Sequence, residues 1–273
     1  MFRPDIKRTK VRSAFGMFEL IYHVAVRSIR KSSGNALLGL ALNIFQTVLL
    51  IVVFYFMMTI LGMRGSAVRG DFVLYIMTGV FLYMTHSKAM GAVMSAEGPT
   101  SAMMKHAPMN SLVSILGSAL GALYLQMLSL ILVLFIYHTI WGPITIYRPV
   151  PALAMLLLSW AAGIGVGMIF MAIRPWSPEF AQIGSSIYSR VNMIASGKMF
   201  LANTLTAKLR GFFDWNPLFH TIDQTRGFTF INYNPHYSSI TYPVLVTLTL
   251  IMIGLMAEFY TRQYASVSWS AGK

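Results

Sequence analysis

Cysteine is absent from the 273 residues, which excludes disulfides, thiolate metal sites and a cysteine nucleophile. Acids are scarce too: 8 Asp+Glu stand against 21 Lys+Arg, a net charge of +13. Charged residues of both signs reach only 11%, where an ordinary soluble domain carries roughly a quarter, so the chain cannot cover a water-facing surface in the usual way. The solvent for most of its surface is then lipid. In that setting an excess of positive charge points to anionic head groups and topology signals before nucleic acid.

Catalytic signatures are missing as well. The string Ser196-Gly197-Lys198-Met199 lacks both the upstream Gly and the Ser/Thr of a G-x-x-x-x-G-K-[ST] phosphate loop. No G-x-S-x-G elbow offers a nucleophilic serine. Six histidines are scattered, with no pair at ligand spacing beside a carboxylate, which argues against a metal site. The chain is therefore read as a non-enzyme with no cofactor of its own. Its N-terminus has no uninterrupted apolar core before a small-residue cleavage point, so no removable signal peptide is expected.

What is present is a series of long apolar runs. A bilayer core needs about 20 apolar residues per helix. Residues 36–61, 72–94, 112–137, 150–173 and 242–260 meet this, and 179–202 is long enough but more polar. The expected fold is all-α: one domain over 1–273 with six transmembrane helices. Residues 1–35 form a basic N-terminus and interfacial helix, 36–202 five spans, 203–241 an outer segment with short re-entrant helices, 242–261 the sixth span and 262–273 a cytosolic tail. The outer segment is nearly 40 residues long, too long for an idle connection.

Orientation follows the positive residues. Arg3, Lys7, Arg8, Lys10, Arg12, Arg27, Arg30 and Lys31 precede the first span, which puts the N-terminus and, after six crossings, the C-terminus in the cytosol. Within the first segment Phe15, Phe18, Ile21, Tyr22, Ala25 and Ile29 recur at helical spacing, as expected of a helix in the interface plane.

The candidate site residues lie mainly in the fifth span. Gln182, Ser185, Ser186, Ser189 and Arg190 recur three and four apart and form one polar stripe, with Tyr188 beside it. Arg190 is roughly 18 Å of helix from either interface, too far to snorkel, and a mid-membrane charge is expected to face protein or water. The stripe lines a path or forms a polar seam between helices. In the second span Lys88 reaches the inner interface or the path, and Tyr83 offers a stacking face. Lys198 is expected to reach the outer interface. Gly163, Gly165 and Gly167, and separately Gly117 and Gly121, read as helix-packing features. Between Pro99 and Pro108 a short cytosolic helix around Thr100, Met104, Lys105, His106 and Pro108 would suit docking to a soluble partner.

The order of these features resembles the membrane subunit of type-2 ABC exporters, specifically capsular-polysaccharide export permeases. GIGVGMIFMAIRPWSPEFAQI (163–183) is similar to that family's glycine-rich fourth span and Pro-Glu turn. WNPLFHTIDQTR (215–226) resembles its Trp-Asn-Pro-Leu segment followed by an Arg, which marks Trp215, Asn216, Pro217 and Arg226 as outer re-entrant residues. Ser196-Gly197 with Met199-Phe200 is similar to the step into its re-entrant helices.

The resemblance implies a homodimer in the bacterial inner membrane, with ABC-type ATPase subunits that bind ATP and Mg and dock on the 96–108 loop. A lipid-linked, acidic polysaccharide would be the cargo, with periplasmic export partners beyond. An accessory scaffold, or a permease for O-antigen, a teichoic-acid-like polymer or a drug, stands as the alternative.

Overall fold

The computed structural model describes residues 10–33, 35–60, 62, 70–98 and 110–265. Among them are nine α-helices: α1 Lys10–Ser33, α2 Ala36–Ile60, α3 Phe72–Met94, α4 Ser111–Ile140, α5 Pro149–Ile173, α6 Pro178–Ala195, α7 Ala207–Arg210, α8 Pro217–Thr229 and α9 Thr241–Tyr264. No strand occurs among the described residues.

Helix starts are written locally. Asp71 caps α3, its carboxylate accepting from the N–H of Val73 at 2.8 Å. Asn110 caps α4, Ser177 caps α6 and Asn216 caps α8, each with its side-chain oxygen on a first-turn N–H. Pro149, Pro178 and Pro217 open their helices where no intrahelical N–H bond is lost.

Four helices, α2, α4, α5 and α9, are long and apolar enough to cross a membrane. Their burial separates them. In the most apolar stretch of α5, 61% lies inside the fold, against 28% for α2 and α4 and 22% for α9. The three peripheral helices therefore present most of their apolar side chains outward. α3 has spanning length, but it is enclosed by neighbours from Leu74 to His86 and carries Thr78, Thr85 and His86 buried among them.

The glycine strings make these contacts possible. A Cβ on Gly163 would stand 2.4 Å from the His86 carbonyl oxygen, and one on Gly167 2.7 Å from that of Met90, so α5 and α3 meet backbone to backbone. Gly165 points the other way, onto Leu250 of α9. On α4, Gly117 and Gly121 receive Val24 and Ala25 of α1. The apolar face of α1 is thus divided: Ile21 is buried in the fold, while Phe18 and Tyr22 are exposed.

α6 ends at Ala195, earlier than the run to residue 202 suggests. Ser196 caps it, and Gly197 takes φ +70°, a left-handed conformation that reverses the chain. A 3-10 turn Ala202–Thr204, α7 and α8 follow. The outer segment is pinned from two sides: the N–H groups of Tyr147 and Arg148 donate to the carbonyls of Thr229 and Phe228, and Leu218, Phe219 and Ile222 of α8 are buried.

Candidate functional site

Three polar places stand out in this apolar fold, and they differ in how completely their groups are satisfied. The first is the stripe on α6. Ala181, Ser185, Asn192 and Ala195 make its buried face. On one flank Gln182 and Arg190 are exposed, with Ser186 and Ser189 half-buried beside them. Directly beside Arg190 on the same outward side, Ile183, Ile187, Val191 and Ile194 are exposed and form an adjoining apolar flank. Ser186 Oγ donates to the Gln182 carbonyl at 2.8 Å and Ser189 Oγ to that of Ser185 at 2.9 Å, so both hydroxyls are held by their own helix. The Arg190 guanidinium makes no hydrogen bond or ion pair among the described residues.

Two aromatic groups join this stripe to α3. Tyr83 donates its hydroxyl to the Ser189 carbonyl at 3.3 Å. Tyr188 lies 2.9 Å from His86 Nε2, and His86 Nδ1 lies 3.1 Å from the Ser159 carbonyl. A carbonyl only accepts, so Nδ1 carries the proton and Nε2 accepts from the Tyr188 hydroxyl: one neutral tautomer satisfies both. Tyr188 also meets Phe170 edge-on, so its ring is committed to packing more than the sequence suggests.

The second place is a cavity of about 580 Å³ between α1, α2, α3 and α4, lined by Arg27, Asn43, Gln46, Lys88, Glu97 and Ser114 among others. Lys88 Nζ donates to Gln46 Oε1 at 2.6 Å. Nothing among the described residues bonds Lys88 to Arg190, so two residues grouped by sequence occupy separate places. Thr100, Met104, Lys105, His106 and Pro108 lie outside the described residues.

The third place is the hub around α8. Arg226 is fully buried, and its guanidinium donates to the carbonyls of Gly197 (3.0 Å), Phe200 (2.7 Å) and Lys198 (2.6 Å) while lying 4.1 Å over the Tyr75 ring. Asp223, one turn earlier, accepts from the Ala202 N–H (3.1 Å), the Tyr233 hydroxyl (2.5 Å) and the Ser238 hydroxyl (2.7 Å). Burial first, then this carboxylate, holds the Tyr233 phenol above its ordinary range. Asn216 caps α8 and donates to Asn192 Oδ1 at 2.6 Å, tying the hub to α6. Pro217 is buried behind it, whereas Trp215 is exposed and its carbonyl accepts from Tyr242.

Lys198 departs from the expectation that it reaches the outer interface. It is 2% exposed, with Nζ 3.5 Å from the centre of the Tyr83 ring and 4.7 Å from that of Phe54. The reason is the turn at Gly197, which points the next side chain back between α2 and α3. Asp223 is a further residue that sequence reading passed over. Its spacing of three from Arg226 on a polar helix was the available signal.

Comparisons with known proteins agree with this architecture. The ABC-2 type transporter family model matches residues 19–230. Two proteins of Escherichia coli described as polysialic acid transport protein KpsM are similar to the chain. One is 25% identical over 207 residues and the other 23% over 202, each alignment covering 72% of this chain and 76% of the relative.

Proposed function

The chain belongs to the ABC-2 type transporter family, and from that premise we propose that it is the membrane permease of an exporter for a lipid-linked, acidic cell-surface polysaccharide. ATP hydrolysis falls to a separate ABC-type ATPase, since this sequence has no phosphate loop. Two copies form the permease in the inner membrane, with both termini cytosolic. The similarity to polysialic acid transport proteins supports the cargo class, a polymer of acids.

Six crossings are part of this reading. α3, at 23 residues, is about 34 Å long at 1.5 Å per residue. Its polar groups are tolerable because neighbouring helices, not lipid, surround it. α6 is shorter, and its two exposed flanks differ: the apolar one suits lipid or the second copy, and the polar one suits water and sugar hydroxyls.

The observation that carries the proposal is Arg190, a cation on α6 with no hydrogen-bond or ion-pair partner among the described residues. An acidic glycan passing along the polar flank would supply the counter-charge. Contacts of this kind must stay weak and repeated if a polymer is to slide.

Deleting the gene in its host is expected to remove the glycan from the cell surface and leave polymer inside, with restoration when the chain is returned. Unchanged surface glycan would reject the proposal. Recovery from mild detergent together with a P-loop ATPase is the second expectation, and a large complex without one would favour the scaffold alternative.

A further inference from the structure

The turn from Ser196 to Phe200 gathers an excess of buried donors. Five side-chain atoms in or beside it have no hydrogen-bond partner among the described residues: Lys198 Nζ, Asn192 Nδ2, Ser196 Oγ, Arg226 Nε and the Tyr75 hydroxyl. They surround the turn without meeting at one point, for Lys198 Nζ lies over Tyr83 and Arg226 over Tyr75, about two turns apart on α3. Asn192 accepts the Ser196 N–H, Arg226 donates to the carbonyls of Gly197, Lys198 and Phe200, and the Tyr75 ring lies under Arg226.

Three of the five, on Lys198, Asn192 and Arg226, can only donate. Buried polar groups are nearly always paired, so a buried ammonium without a hydrogen-bond acceptor calls for one. Asp223 is not that acceptor, since three donors already occupy its oxygens. Arg226 is a structural cation with three carbonyls, whereas among the described residues Lys198 Nζ has only the faces of Tyr83 and Phe54.

Resting on the export reading above, we propose that this turn is a binding site for an oxyacid group, the carboxylate or phosphate of the transported molecule, with the Lys198 ammonium as its principal contact. The Tyr83 ring that carries the ammonium is bonded through its hydroxyl to Ser189 on the exposed flank of α6. One aromatic side chain thus separates the flank from the buried cation. The flexible lysine stem lets the ammonium exchange ring faces for an acid group as that group passes. Arg190 is then the first cation met along the flank and Lys198 the second.

The test uses the intact chain in nanodiscs of phosphatidylcholine. Calorimetry compares a hexamer of galacturonic acid with the uncharged hexamer of galactose. Wild type is expected to bind the acidic hexamer about tenfold more tightly, the loss of one charge-assisted contact in Lys198→Met reducing that preference to about twofold. A parallel arm adds phosphatidylglycerol to the nanodiscs. If the preference for the acidic hexamer then falls in wild type but not in Lys198→Met, the acid group comes from lipid; if it is unchanged, it comes from sugar.

No preference in unmodified protein, or full preference retained in Lys198→Met, would mean that water alone fills the donors and would overturn the proposal. The wild-type arm needs no variant to fold. Binding with unaltered surface glycan in the deleted host would reject export while leaving the anion site intact.

Discussion

Arg226 on α8 and Arg190 on α6 sit on polar helices of a chain that is 56% hydrophobic, yet the fold treats them in opposite ways. Arg226 is fully enclosed, and three carbonyls receive it. Arg190 lies on an exposed flank with no hydrogen-bond or ion-pair partner among the described residues. Three carbonyls offset the cost of burying the Arg226 guanidinium, so Arg226 reports on stability. On the export reading proposed above, the open cation on α6 serves a group outside the chain, so Arg190 would report on what passes or docks there. The two helices are joined through Asn192 and Asn216, so substitutions on either side test the division.

The largest effect is expected from Arg226→Leu. It strands the carbonyls of Gly197, Lys198 and Phe200 and is expected to cost about 3–5 kcal/mol, measured by denaturant unfolding in detergent. Wild-type stability in that variant would dissolve the distinction. Gly197→Ala comes next: its Cβ would meet Phe219 Cδ2 at 2.5 Å, and φ +70° is strained for alanine. A loss of about 2 kcal/mol should follow, with export falling because the turn is displaced.

Asn216→Ala removes the α8 cap and the bond to Asn192, for about 1–2 kcal/mol in the same unfolding measurement. The smallest change in stability is expected from Arg190→Ala, whose melting temperature should match wild type. Its surface glycan should nevertheless fall about tenfold, the loss of one charge-assisted contact. A destabilised Arg190→Ala protein, or one exporting normally, would show that the open arginine serves the fold or nothing measurable.

Much of the helix order is legible along the chain. The runs 36–61, 72–94 and 150–173 coincide with α2, α3 and α5 to within a residue or two, because apolar length and capping are local properties. Asp71, Asn110, Ser177 and Asn216 announce their helices by residue type alone. The fifth run was read seven residues too long: Ser196 and Gly197 look like small helix-compatible residues until the left-handed φ at Gly197 ends α6. That early stop sends Lys198 inward. Lys88 lines the cavity between α1, α2, α3 and α4, apart from the polar stripe on α6, since helices that share polarity need not share a space.

Composition and periodicity alone determined that this chain lives in lipid, that it is helical, where most helices begin, and that it carries no phosphate loop. Each follows from residue type and near neighbours, which a linear chain displays. Only the tertiary structure decided which polar groups are satisfied. Arg226 finds three carbonyls in a turn far away in sequence, Lys198 finds two aromatic faces from α2 and α3, and Arg190 finds no partner among the described residues. Whether a charge finds a partner depends on distances across the fold, and those exist only once α3, α6 and α8 are packed together.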